Sequence, residues 1–129
     1  EMCIRDSIIT VASDRQTAKG RFRGMLFGGW HDDLTFPESL EEEIVTAFDN
    51  VERTLAEAGA TWRDGLSVES FHLPAAPDSI GDAHNRVMVE QFRARMGDRA
   101  PIWTQLGVTA LGAPKMRVEI RVTAIVGPR

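Results

Sequence analysis

The stretch PESLEEEIVTAFDNVERTLAEAG, from Pro37 to Gly59, leaves the backbone little choice. Leu40, Ile44, Phe48, Val51, Leu55 and Ala58 recur at steps of three and four, which draws one apolar stripe down a helix. Ser39 is a natural N-cap, and Glu42 three residues on completes a capping box. Pro37 and the acidic run Glu41–Glu43 suit the positive end of the helix dipole. Gly59 suits the position just past the helix end. A stripe this long must be buried against something, and the rest of the chain offers strands.

Ser7–Ala12 is a β-branched run and reads as a short strand. Gly20–Gly29 reads as a second strand, joined to the first by a hairpin through SDRQTAKG. Asp64–Pro74 reads as a third, ended by its proline. After the loop PAAPDS, a second helix is predicted from Asp78 or Ser79 to about Met96, closed by Gly97. Two further strands, Ile102–Leu111 and Lys115–Val126, flank the turn GAPK. The order is β-β-α-β-α-β-β, an α+β chain with a single domain over residues 8–129. The opening EMCIRDS has no pattern, and residues 1–7 are set aside as a disordered or artefactual N-terminus.

Two helices cover one face of such a sheet. Val118, Ile120, Val122 and Ala124 form a helix-facing row, and Glu119, Arg121 and Thr123 point the other way. In the third strand Leu66, Val68, Ser70 and His72 share one face, and Ser67, Glu69, Phe71 and Leu73 the other. In RAPIWTQLGV, Ile102, Thr104, Leu106 and Val108 look like a core row, which turns Trp103 and Gln105 to the second face. That face then mixes Trp103, Phe71 and Leu73 with Glu69, Gln105, Glu119 and Arg121. Solvent does not call for that much apolar area, and a plain core does not tolerate those charges unpaired. A subunit interface containing a polar pocket accounts for both.

A net charge of −4 and a pI near 5.3 disfavour nucleic acid and anionic membranes as partners. No apolar run approaches the roughly 18 residues of a bilayer span, and the charged opening has no leader-like segment, so a cytoplasmic setting is expected. Cys3 stands alone, which excludes an internal disulfide or a cysteine metal cluster. His31, Asp32 and Asp33 are adjacent in one loop and poorly placed to converge on a metal. His72 reads as a satisfied core histidine, and His84, next to Asn85, as an exposed one or one at the pocket rim.

Taken together, MLFGGW, AFDNVERTLAEAG, NRVMVEQF, APIWTQLGV and MRVEIRVTAI resemble the Rid family (RidA/YjgF/UK114 proteins) across most of the chain. The resemblance implies a chorismate-mutase-like fold and a homotrimer with a central β-barrel and pockets between subunits. It also implies a cofactor-independent hydrolase that releases ammonia from imines or enamines, with no metal. Glu119 falls on the family's water-positioning glutamate, Asn85 on its helix asparagine, and Thr104 on the hydroxyl residue after its carboxylate-binding arginine. The arginine itself falls on Trp103 and a site serine on Gly28, while the first-loop tyrosine has no counterpart in a chain without Tyr. Met88 replaces the usual helix tyrosine, and Gln105 stands where a small residue or cysteine is common.

An indole offers one N–H and cannot reproduce a bidentate guanidinium–carboxylate pair, a loss of roughly 1.5–3 kcal/mol. The expected substrate is therefore a small molecule other than a simple 2-imino acid. Glu119 is the expected catalytic residue, and Trp103, Asn85, Gln105, Thr104, Gly28, Gly29, Trp30, Phe71 and Arg121 the expected binding residues. Arg121 has a second role open to it, as an ion-pair partner of Glu69 or Glu119. The alternative is a non-catalytic ligand-binding or chaperone-like trimer. A ribonuclease is disfavoured by the absence of a basic stripe.

Overall fold

Capping and periodicity place the first helix as expected. In the computed structural model, α1 spans Leu40–Glu57, with the Ser39 side chain accepting from the Glu42 backbone N–H at 3.1 Å and Gly59 at φ +74° just past the end. Residues 9–14 and 19–126 are described, with side chains from position 28 onward except at 65, 66, 125 and 126. The elements around α1 are β1 (Ile9–Asp14), β2 (Lys19–Gly28), β3 (Gly65–His72), α2 (Asp82–Met96), β4 (Ile102–Gly107) and β5 (Val118–Val126). The strands form one sheet in the order β1-β2-β5-β3-β4, antiparallel except for the β3–β4 pair. Residues 1–7, including Cys3, the start of the first expected strand and residues 15–18 of the hairpin lie outside the described residues.

One face of the sheet carries the core. Val68, Val118, Ile120, Val122 and Ala124 are buried against Ile44, Phe48, Val51 and Leu55 of α1 and Val87, Met88 and Met96 of α2. A 3-10 turn at Trp62–Asp64, which takes Asp64 from the expected third strand, inserts Trp62 into this layer. Its ring stacks on Phe48 at 4.8 Å, Phe92 meets both edge-on, and Trp103 meets Phe92 at 5.1 Å. Such ring pairs add roughly 0.5–1.5 kcal/mol each beyond the area they bury.

Trp103 therefore faces the helices, which reverses the expected orientation of β4. The parallel register sets Trp103 beside Val68 and Gln105 beside Ser70, both on the buried side. Ile102, Thr104 and Leu106 take the outer face, and Ile102 is 70% exposed. Hydropathy alone favoured the aliphatic row. It loses because the indole gains an aromatic partner in Phe92 and a hydrogen-bond acceptor in Ser70 Oγ, 2.9 Å away. The ends of other elements also shift, with β2 at Lys19–Gly28 and β3 at Gly65–His72 in place of Gly20–Gly29 and Asp64–Pro74. Asp78 and Ser79 belong to a tight turn closed on Ala76, and α2 starts only after Gly81, at φ +108°. β4 stops at Gly107, and β5 starts at Val118 because the Arg117 N–H is committed to Glu43 Oε2 at 2.6 Å.

Ser70 begins a buried polar chain. Its Oγ lies 2.8 Å from His72 Nε2, and His72 Nδ1 lies 2.8 Å from His84 Nδ1. His84 is 3% exposed, not solvated as expected, and hydrogen-bonds the Leu73 backbone. The Leu73 N–H is already given to Arg117, so its carbonyl is the acceptor. One assignment of hydrogens satisfies every link with neutral groups: Trp103 donates to Ser70, Ser70 to His72, His72 to His84, and His84 to Leu73. Burial, then the neighbouring His84, holds the His72 ring down at about 3. Burial lowers His84 as well, aided by Arg117 and opposed by the Leu73 bond.

Both rings accept a proton near pH 6.5 once unfolded but resist it when folded. The unfolded state binds more protons below that pH, so stability is complete above pH 6.5 and falls as pH drops towards about 3. Urea unfolding followed across this window is expected to lose at most about 1.4 kcal/mol per pH unit for each histidine. A flat profile would mean that the rings are charged in the native state.

Candidate functional site

The outer face of β5 and the loop before α1 enclose a cavity of about 330 Å³. Its walls are Trp30, Leu34, Phe36, Gly112, Ala113, Met116 and Glu119. Glu119 sits beside Gly28 in the β2–β5 register and is 7% exposed. Its Oε1 accepts one long hydrogen bond, 3.4 Å from the Gly112 N–H. Burial pushes its carboxyl above the ordinary range, and the Gly112 bond only partly offsets this. The other walls are apolar, with Trp30 and Phe36 meeting edge-on at 6.4 Å.

Two glycines shape the cavity through what they leave out. A Cβ on Gly28 would fall 2.4 and 2.5 Å from ring carbons of Trp30 and 2.7 Å from the Met116 methyl. The indole thus occupies the volume that a side chain at 28 would need. A Cβ on Gly29 would fall 1.9 Å from the Glu43 carbonyl oxygen, so the chain passes α1 at backbone contact. Asn50 fixes that passage, donating from Nδ2 to the carbonyls of Gly28 at 2.8 Å and Trp30 at 3.0 Å. Beyond it the loop is closed by bonds between His31 and Thr35 and between Leu34 and His31, with Thr35 capping on Asp33. Leu34 takes a left-handed backbone, φ +68°, with its side chain against the cavity. The opposite wall is set by Arg117, whose Nε meets the fully buried Glu43 carboxylate at 2.7 Å.

Of the expected residues, the fold brings together Glu119, Trp30, Gly28 and Gly29. Phe71 is the register partner of Glu119 and half-buried on the same face. Arg121 is on that face too, but it pairs with Glu69 at 3.4 Å, its guanidinium 5.8 Å from the Phe71 ring centre. Thr104 and Asn85 are exposed outside the cavity wall. Trp103 and Gln105 face the helix side, with the indole N–H already used by Ser70. Leu34, Phe36, Ala113 and Met116 were missed by sequence reasoning. They lie in irregular loops, where no period marks a face, and LTF ahead of the helix cap was their one apolar signal.

Substituting Gly28 by Ala is expected to displace the Trp30 ring, shift tryptophan emission and cost about 1–3 kcal/mol in urea unfolding. In a Trp30→Ala background the same change is expected to cost measurably less, because the two groups compete for one volume. Additive losses would show that the indole does not occupy that space.

Residues 28–126 match the profile of a family described as Endoribonuclease L-PSP. The chain is 32% identical over 113 residues to the RutC family protein YjgH of Escherichia coli strain K12, covering 84% of this chain and 82% of that protein. A solved structure of protein YjgH superposes with a TM-score of 0.68 at 28% identity, over 87% of this chain and 84% of the other. The Escherichia coli protein TdcF, solved with bound serine, gives a TM-score of 0.71 at 14% identity, over 92% and 84%. A conserved Rid family protein of Yersinia pestis, YyfB, gives 0.70 at 21%, over 81% and 77%.

Proposed function

The chain belongs to the endoribonuclease L-PSP family, the Rid/YjgF proteins, and on that premise we propose that it hydrolyses an imine or enamine without a cofactor, with Glu119 as the base. The observation behind this reading is the placement of Glu119: one carboxylate, mostly desolvated, in an otherwise apolar cavity. A carboxyl with a raised pKa is a better proton acceptor near neutrality than an exposed one. In the proposed reaction Glu119 takes a proton from water as the oxygen bonds to the C=N carbon. The proton then passes to nitrogen. The hydroxyl proton of the resulting carbinolamine passes to nitrogen in turn, again by way of Glu119, and the C–N bond breaks to give a carbonyl compound and ammonia, so that both protons and the oxygen of water are accounted for. An enamine first takes a proton at carbon from the protonated Glu119 and returns one from nitrogen, and the resulting imine follows the same course. Trp30, and Phe71 beside Glu119, are the binding residues that fit this reading most directly.

The substrate is read as something other than a simple 2-imino acid. Trp103 at the family's arginine position supplies no guanidinium, and its indole N–H is spent on Ser70. Ammonia release from a panel of imines without a carboxylate tests the reaction. Glu119→Gln is expected to lower turnover of the best substrate by about 10²–10⁴-fold. The wild-type rate is expected to fall on acidification at a pH above the ordinary carboxylate range, since protonation removes the base. Full turnover by Glu119→Gln would sink the mechanism. Tight binding without any turnover would favour the non-catalytic ligand-binding reading instead.

We also propose a homotrimer whose sheets meet outer face to outer face. Ile102 and Leu106, 70% and 43% exposed, lie on that face with Phe71 and the Arg121–Glu69 pair. Burying them between copies removes an apolar patch from water and leaves the charges paired. Sedimentation equilibrium is expected to return three copies, and a monomer at micromolar concentration would overturn the assembly.

A further inference from the structure

The cavity has a charge preference that its shape alone does not reveal. Its described walls hold two aromatic rings, three aliphatic or thioether side chains and one acid, with no basic side chain among them. The nearby arginines are engaged elsewhere. Arg117 bonds Glu43 and the carbonyls of Pro37 and Glu38, Arg121 bonds Glu69, and Arg53 bonds Asp32 at 2.8 Å. On the flanking segments His31, Asp32, Asp33 and Lys115 are all exposed, so Glu119 is the one buried ionisable group the described cavity presents. Its carboxylate meets a single backbone N–H at 3.4 Å, a small return for a group 7% exposed.

We infer that this cavity selects a compact apolar organic cation, an iminium or the amine from which it forms, and rejects carboxylates. The inference deepens the imine-hydrolase reading of the same site and depends on it only for the word iminium; selection for cations stands on the lining alone. Three features act together. A cation beside Glu119 supplies the counter-charge that the wall lacks. The rings of Trp30 and Phe36 favour a positive over a negative neighbour through their quadrupoles. An anionic ligand meets Glu119 across a poorly screened space with no described cation to offset it. The same burial raises the carboxyl above its ordinary range, and a cation beside it favours the ionised form.

The test compares three probes of one shape on the full chain in its solution assembly: benzylammonium, benzyl alcohol and benzoate, by isothermal titration. Benzylammonium is expected to bind at least about tenfold more tightly than benzyl alcohol, with no detectable binding of benzoate. Run about one pH unit above the ordinary carboxylate value, in two buffers of different ionisation heat, its binding is expected to release protons as the cation displaces the Glu119 proton. Glu119→Gln is expected to abolish the preference for the amine while keeping benzyl alcohol binding, which also reports that the variant is folded. Benzoate binding as tightly as benzylammonium would overturn the inference, as would an unchanged preference in a Glu119→Gln protein that binds benzyl alcohol. Ammonia release is a separate readout. Cation selectivity without turnover would sink the hydrolase reading alone, and turnover without cation selectivity would sink this inference alone.

Discussion

The ion pair between Glu43 and Arg117 is what the geometry of the cavity depends on. Glu43 lies in the first turn of α1, fully buried, and its two oxygens take the Arg117 Nε and backbone N–H at 2.7 and 2.6 Å. The same guanidinium reaches back to the carbonyls of Pro37 and Glu38, just ahead of the helix. One side chain thus ties the loop bearing Phe36 to the segment bearing Met116 and Glu119. Stranding one partner of a buried pair typically costs about 3–5 kcal/mol, and the figure here is smaller because Arg117 remains a third exposed. Two turns further along α1, Asn50 performs the equivalent task for Gly28 and Trp30. Both walls of the site hang from one helix.

A second polar system works on opposite terms. The chain from Trp103 to Leu73 runs through the buried Ser70, His72 and His84, and one assignment of hydrogens keeps it neutral with an acceptor for every donor. It joins β4, β3 and the first turn of α2 on the helix side of the sheet, away from the cavity. Neutral links of this kind contribute about 1 kcal/mol each, but an unmade one leaves a buried group unsatisfied. That asymmetry makes the chain a device for orientation. Trp103 can turn inward only because Ser70 is there to receive its N–H.

What could be read from the residues tracks how local the cause is. α1 was legible because capping, period and terminal glycine act within one segment. The buried rows of β3 and β5 were legible from strict alternation, and His72 as a satisfied core group with them. β4 was misread because its aliphatic row looks like the core face, and only partners distant in sequence, Phe92 and Ser70, decide which row turns inward. His84 was misread for the same reason: its partner lies on another element. For the candidate site, Glu119 and Gly28 were named from the family resemblance, and Trp30 because it follows the glycine end of the second strand. Leu34, Phe36 and Met116 depend on how two irregular loops lie across β5, which no local pattern encodes.

Leu34 shows how the molecule separates endurance from selectivity. A left-handed backbone costs a residue with a Cβ about 1 kcal/mol. Here that tension sits in an exposed loop, outside the aromatic core and both polar systems. The Leu34 side chain lines the cavity beside Phe36. Exchanging Leu34 therefore changes a wall of the cavity without touching the stacked rings of the core.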